Sequence, residues 1–220
     1  MGTGALAGMT QPRPRLRAKY WLFGFIGLMF GYVLVTRETF LINPHDPRWL
    51  HIASFKWWLL PHGLAGATAL LIAPMQFSDR LRRRFIRLHR ALGRIYIGGV
   101  FIAAPLGVYI QHLDERLGCS ATFTLETALQ ASMWMLTTGI ALACIRSGKI
   151  QQHRQWMARS FAAGPFVFIE VRVIAGLFNL HGCPVGEYIV WGCTATSIFL
   201  ADAVLQVEEL IRNRPLAAKV

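Results

Sequence analysis

The sequence predicts an all-α integral membrane protein, a six-helix bundle whose four-helix core consists of two pseudo-repeated hairpins. Three observations predict it. Of 220 residues, 54% are hydrophobic and only 15% charged, whereas soluble domains are about one quarter charged. Mean hydropathy is +0.41. The remaining charge is lopsided, with 23 Lys+Arg against 11 Asp+Glu and a net charge of +12. A soluble basic protein needs a densely charged surface, and this chain lacks the charges to build one. Disorder, a coiled coil and a soluble enzyme are excluded by the same arithmetic.

A helix crosses the roughly 30 Å hydrocarbon core with about 20 apolar residues. A basic N-terminus, 1–19, precedes the first predicted span, 20–36, whose Gly24, Gly27 and Gly31 suit close helix packing. Its apolar run ends in Thr-Arg-Glu rather than a small-residue cleavage site, so it reads as a helix and not a leader. The loop that follows carries Asn43-Pro44-His45-Asp46-Pro47, a turn-forming stretch. A five-helix domain, 57–207, follows, with spans at 57–77, 95–113, 125–145, 160–180 and 188–207. The span 125–145 has no charge after Glu126, whereas 160–180 holds Glu170 and Arg172 and 188–207 holds Asp202. A short tail, 208–220, closes the chain.

This layout accounts for the charge. With the N-terminus inside, 18 of the 23 Lys+Arg fall in cytoplasmic segments and four in external ones. That is the positive-inside bias of a protein with both termini in the cytoplasm. Nucleic acid is therefore not needed as a partner, and membrane lipids are. Cys119 and Cys183 fall in external loops, where a disulfide is chemically permitted. Cys144 and Cys193 fall within helices and read as small apolar fillers.

The two large cytoplasmic connections resemble each other. Each carries a His-Arg pair, His89-Arg90 and His153-Arg154, shortly before an apolar helix, with Arg94 and Arg159 at its mouth. Both helices start inside, so His89 and His153 belong at one depth. His62 lies five residues inside its span, about 7.5 Å along the helix, and its neighbours Gly63, Ala65 and Gly66 are small. Gly93 stands four residues after His89, whereas Met157 stands four after His153. Neutral imidazole is an axial ligand for haem iron, and a porphyrin needs cleared space beside its ligand.

The pattern thus points to b-type haem, one or two, with metal-ligating His62, His89 and His153. An inner haem would lie between His89 and His153. An outer one would join His62 to His112 or His181, and Arg90 and Arg94 would pair with propionates. The competing reading places His89 and His153 in interfacial elbows on carbonyls or lipid phosphates, with His62 hydrogen-bonded across the bundle. No H-E-x-x-H, Walker A, G-x-S-x-G or G-x-G-x-x-G motif occurs, so no catalytic residue is assigned. At bilayer depth, Glu170, Arg172 and Asp202 must face the bundle interior or a polar cavity. An Arg172–Asp202 pair locking the last two helices is the structural expectation; a proton path or quinone headgroup site is the functional one.

The sequence also resembles a family. His62, Pro74-Met-Gln76-Phe77, Leu81-Arg-Arg-Arg84, His89-Arg90, Gly93-Arg94-Ile-Tyr96 and His153-Arg-Gln-Trp156-Met157-Ala-Arg159-Ser160 are similar to motifs of the bacterial membrane proteins grouped as the domain of unknown function 2306. The resemblance spans residues 57–205 and implies a bacterial cytoplasmic-membrane location but no activity. Arg172 and Asp202 match the family's Arg and acidic positions, with Asp202 replacing the usual Glu. By architecture alone, the layout is similar to diheme cytochrome b proteins. The functional expectation is a cytochrome b-like electron carrier, or oxidoreductase subunit, drawing on a quinol or a partner protein. Its rivals are a cofactor-free membrane subunit that binds anionic lipid, and a small-solute or proton transporter using Glu170, Arg172 and Asp202.

Overall fold

The computed structural model describes residues 15–36, 43, 45–180 and 183–213; the side chains of 15–20, 22, 23, 48, 51, 183–185 and 211–213 lie outside that description. Nine α-helices follow in order among them: α1 (Arg15–Thr36), α2 (Arg48–Ile52), α3 (Lys56–Gln76), α4 (Asp79–Arg84), α5 (Ile86–Glu115), α6 (Ala121–Arg146), α7 (Ile150–Phe161), α8 (Val167–Leu177) and α9 (Cys183–Asn213). A π-helical turn, Ala162–Phe166, joins α7 to α8, and no strand occurs among the described residues.

Among the described residues, five stretches are long and apolar enough to cross a membrane: Lys56–Gln76, Ile86–Glu115, Ala121–Arg146, Ile150–Leu177 and Gly186–Leu210. The described apolar part of the predicted first span, Gly24–Thr36, is shorter. The surface is inverted relative to a soluble bundle. Trp21, Leu28, Leu64 and Phe199 are each at least 74% exposed, while Ala69, Ala103, Ala141 and Ala163 are fully buried. Hydrocarbon solvates large apolar side chains outside, so the helices meet through small residues that let backbones approach.

The closest such approach joins α3 to α5. A Cβ on Gly99 would stand 2.9 Å from the Ala65 carbonyl oxygen and 3.4 Å from the Ala69 side chain. Around it lies a core of Ala69, Ile72, Ala73, Tyr96 and Val100, with Trp134, Met135 and Phe161 packed against it. Helix α1 lies on α8 through Ile26, Val33 and Ile169. There Gly176 admits Tyr32, whose hydroxyl would lie 2.6 Å from any Cβ at that position.

Local sequence sets the two inner elbows. Ser78 caps α4 by accepting the Leu81 amide at 3.3 Å. Asp79 opens that helix and Arg82, Arg83 and Arg84 close it, the order the helix dipole favours. Between α6 and α7 the chain turns at Gly148, whose φ of 72° lies in the left-handed region that glycine enters freely.

A closed polar ring ties α5, α6 and α7 together. The Trp134 indole N–H donates to Tyr96 Oη at 3.1 Å. Tyr96 and Ser160 hydroxyls are 2.7 Å apart, as are those of Ser160 and Thr138. Thr138 in turn donates to the Trp134 carbonyl at 2.7 Å. Since Thr138 spends its only proton on that carbonyl, Ser160 donates to Thr138 and Tyr96 donates to Ser160. The ring starts and ends on Trp134, and every hydroxyl proton is used. Tyr96→Phe strands the indole N–H and a Ser160 acceptor, and is expected to cost about 1–3 kcal/mol, measurable as a lower midpoint in detergent unfolding.

The π turn sits beside this ring. Pro165 has no N–H to continue an α-helical ladder, and the Gln130 amide donates to the Ala163 carbonyl at 3.0 Å. Such bulges inside membrane helices persist where a neighbour satisfies the freed backbone.

Candidate functional site

Helices α5 and α7 both pack against α6, and their common register sets His89 and His153 at one level. His89 and His153 are each the fourth residue of their helix. Seven residues on, Tyr96 and Ser160 bond each other directly. That polar ring therefore lies about 10 Å deeper than the histidines, at 1.5 Å per residue. At the helix mouths His89 and His153 are close enough for charge on one ring to be felt at the other.

The two rings are held differently. His153 Nδ1 lies 2.8 Å from the Ala141 carbonyl of α6. A carbonyl only accepts, so Nδ1 carries the hydrogen and Nε2 of the neutral ring keeps its lone pair. His89 Nδ1 is buried with no hydrogen-bond partner among the described residues, and so is Nε2 of Gln76 at the end of α3. Gly93 faces that glutamine, whose Oε1 would lie 3.5 Å from a Cβ there. Arg83, Arg84, Arg87, Arg90, Arg94 and Arg154 are exposed around the mouth. Two imidazoles, two unspent polar atoms and many guanidiniums thus occupy one end of the bundle.

His62 sits on another helix pair. His62 Nδ1 lies 2.9 Å from the Ala103 carbonyl, across the α3–α5 interface. Its ring fills the notch left by Gly107, where a Cβ would stand 3.0 Å from Cε1. His62 thus donates across the bundle as His153 does to Ala141, and the same tautomer leaves its Nε2 bare. His112, at the outer end of α5, has Nδ1 3.5 Å from Glu115 Oε2. His181 lies outside the described residues.

The intramembrane charges are arranged differently from the sequence expectation. Asp202 pairs with Arg159, Nε to Oδ1 at 2.7 Å, and not with Arg172. Helix rise explains the correction. Arg159 is nine residues inside the span 150–177 and Asp202 eight inside the end of the span 186–210, depths of about 14 and 12 Å from the arginine-rich side. Arg172 lies about 33 Å along its span from that side. Its guanidinium stacks on the Phe168 ring, 3.6 Å from the centroid. Arg159 also lies 4.8 Å from the Trp156 ring. Glu170 accepts a hydrogen bond from Ser197 at 2.7 Å.

Glu126 is the intramembrane acid that the sequence reading passed over. It is fully buried, and Oε1 accepts from Thr194 at 2.8 Å. Oε2 has no partner among the described residues. The signal was legible: it is the one acid in a span otherwise free of charge.

Cys119 is disulfide-bonded, whereas Cys144 and Cys193 are free and buried. The side chain of Cys183, the expected partner of Cys119, lies outside the described residues. Among the described residues no cluster of three or more His, Cys, Asp or Glu side chains is placed to hold a metal ion; a two-histidine haem site is a smaller donor set. Cavities of about 120 and 200 Å³ lie between α1 and its neighbours and between α6 and α9, and no histidine lines either.

Comparison with known proteins gives one match. Residues 59–205 match the family model described as "Predicted membrane protein (DUF2306)". No curated protein and no solved structure matches the chain.

Proposed function

This chain belongs to the DUF2306 family of predicted membrane proteins, and we propose that it binds a b-type haem between His89 and His153 and carries electrons within the membrane. The observation that carries the reading is the common register of α5 and α7 on α6, marked by the Tyr96–Ser160 hydrogen bond, which sets two imidazoles from different helices at one level. The donor set fits the group. The Ala141 carbonyl holds the His153 ring in the tautomer that leaves Nε2 bare, the outer-shell arrangement typical of metal-ligating histidine. The orphaned His89 Nδ1 and Gln76 Nε2 are polar atoms that the protein alone leaves unsatisfied. Arg90, Arg94 and Arg154, exposed at this end of the bundle, would pair with the propionates, a charge-assisted contact that guanidinium makes well. A b-type haem bound there would supply one-electron transfer, with a quinol or a partner protein as donor.

The same reading orients the molecule. The arginine-rich mouth faces the cytoplasm, as the positive-inside rule requires. The disulfide-bonded Cys119 then falls at the opposite, oxidising face. With α1 as a sixth span, both termini lie in the cytoplasm.

The test is a dithionite-reduced minus oxidised spectrum of the protein purified from cells supplied with haem, with a pyridine haemochrome assay for stoichiometry. A b-type band at one haem per chain is expected. His89→Ala and His153→Ala are each expected to abolish it, while His62→Ala retains it. A colourless wild-type protein overturns the reading. The exposed arginines ringing the same mouth favour a second reading, capture of anionic lipid headgroups, at about 1 kcal/mol per cation near a charged surface. Under that reading the colourless protein co-purifies with anionic phospholipid.

A further inference from the structure

We propose that Glu126 is a proton-binding site inside the membrane, set at the α6–α9 seam and connected through Thr194 and Ser197 to a second carboxyl, Glu170. The proposal is independent of the haem reading and rests on different residues.

Glu126 lies five residues into α6, on the outer half of the bundle, and none of its surface is exposed. A carboxylate there would place an anionic oxygen, Oε2, among apolar groups with no donor. The carboxylic acid leaves only a weak hydroxyl unpaired while Oε1 keeps its hydrogen bond from Thr194. The binding step is therefore addition of one proton at Oε2, with no bond to carbon changed and no redox partner required.

Two hydroxyls on one face of α9 stand between the acids. Thr194 and Ser197, three residues apart, are both buried, and each donates to one of the two acids. Cys193 lies within electrostatic reach of both carboxyls. Among the described residues, Cys193 of α9 is the titratable group within that reach of Glu126, and Glu170 of α8 lies within reach of the same thiol. Thr194 also lines the cavity of about 200 Å³ between α6 and α9. Glu126 is thus one hydroxyl away from unfilled space and one short row of hydroxyls from a less buried acid. A purely structural glutamate in a membrane core needs neither feature.

The experiment is infrared spectroscopy of the full chain in lipid nanodiscs at mildly alkaline pH, in water and after transfer to deuterium oxide. A protonated-carboxyl band is expected in the wild type and should be lost in Glu126→Gln, whose amide oxygen still accepts from Thr194. Because that variant can fail to assemble, Thr194→Val provides a second reading: removing the only donor should move the band to higher frequency. The band should also shift within the time of buffer exchange, as the acid trades its proton for deuterium. A spectrum unchanged by either substitution overturns the proposal, because the acid is then ionised. A band that is present but refuses to deuterate overturns it too, because the carboxyl is then a sealed structural group.

Discussion

Gly164→Ala is expected to destabilise the bundle by about 3 kcal/mol, the upper end of the usual cost of overpacking, although it adds a single methyl group. The added Cβ would overlap the Trp134 indole. A flexible neighbour would swing aside, but Trp134 is held at both ends. Its N–H is bonded to Tyr96 and its carbonyl accepts from Thr138. Moving the ring therefore breaks the hydroxyl circuit through Ser160 as well as the packing. The backbone has no slack either, because Pro165 and the Gln130–Ala163 bond fix the π turn. Unfolding in a mixed detergent should show the lowered midpoint. Gly164→Ala should cost much less in a Trp134→Ala background, where the ring that the new methyl group meets is gone. An additive double mutant would mean that the two residues do not meet.

Arg159→Leu is expected to cost about 3 kcal/mol, because it leaves Asp202 unpaired at a depth where a lone charge is that expensive by insertion scales. The Asp202 side chain is about half exposed (49%), but at that depth the exposure is to hydrocarbon and not water. Asp202→Leu should cost less. The longer Arg159 side chain can reach the interface, and it keeps its contact with the Trp156 ring. The Arg159→Leu, Asp202→Leu double variant should recover most of the loss, since apolar residues of similar volume replace a buried pair without penalty. Arg172→Leu should leave Asp202 undisturbed. Equal damage from Arg159→Leu and Arg172→Leu would restore the pairing expected from sequence.

The contrast between these two arginines shows where sequence reading stops. Arg172 lies in the predicted span 160–180 and Arg159 just before it, so residue counting pairs Asp202 with Arg172. Depth decides between them, and depth depends on where α7 begins. The sequence reading started the helix at residue 160, whereas the structure carries it down to Ile150. That shift moves Arg159 from the mouth of the span to a point well inside it. His62 is a similar case. Its depth and small neighbours were legible, but they suit a porphyrin and a close helix crossing equally well. Only the structure shows that the ring fills the notch at Gly107 and bonds the Ala103 carbonyl.

By itself the sequence determined the class of solvent this protein folds in, the positions of five spans and the family motifs. It also matched His89 with His153, because hydropathy and spacing along a helix are local quantities. What only the tertiary structure decided is which polar groups meet. The Tyr96–Ser160 ring, the Arg159–Asp202 pair and the half-satisfied Glu126 each join residues on different helices. Such meetings depend on helix register and rotation, which small-residue packing between backbones sets. No local pattern encodes that geometry, and it is also what makes those polar groups affordable inside a membrane.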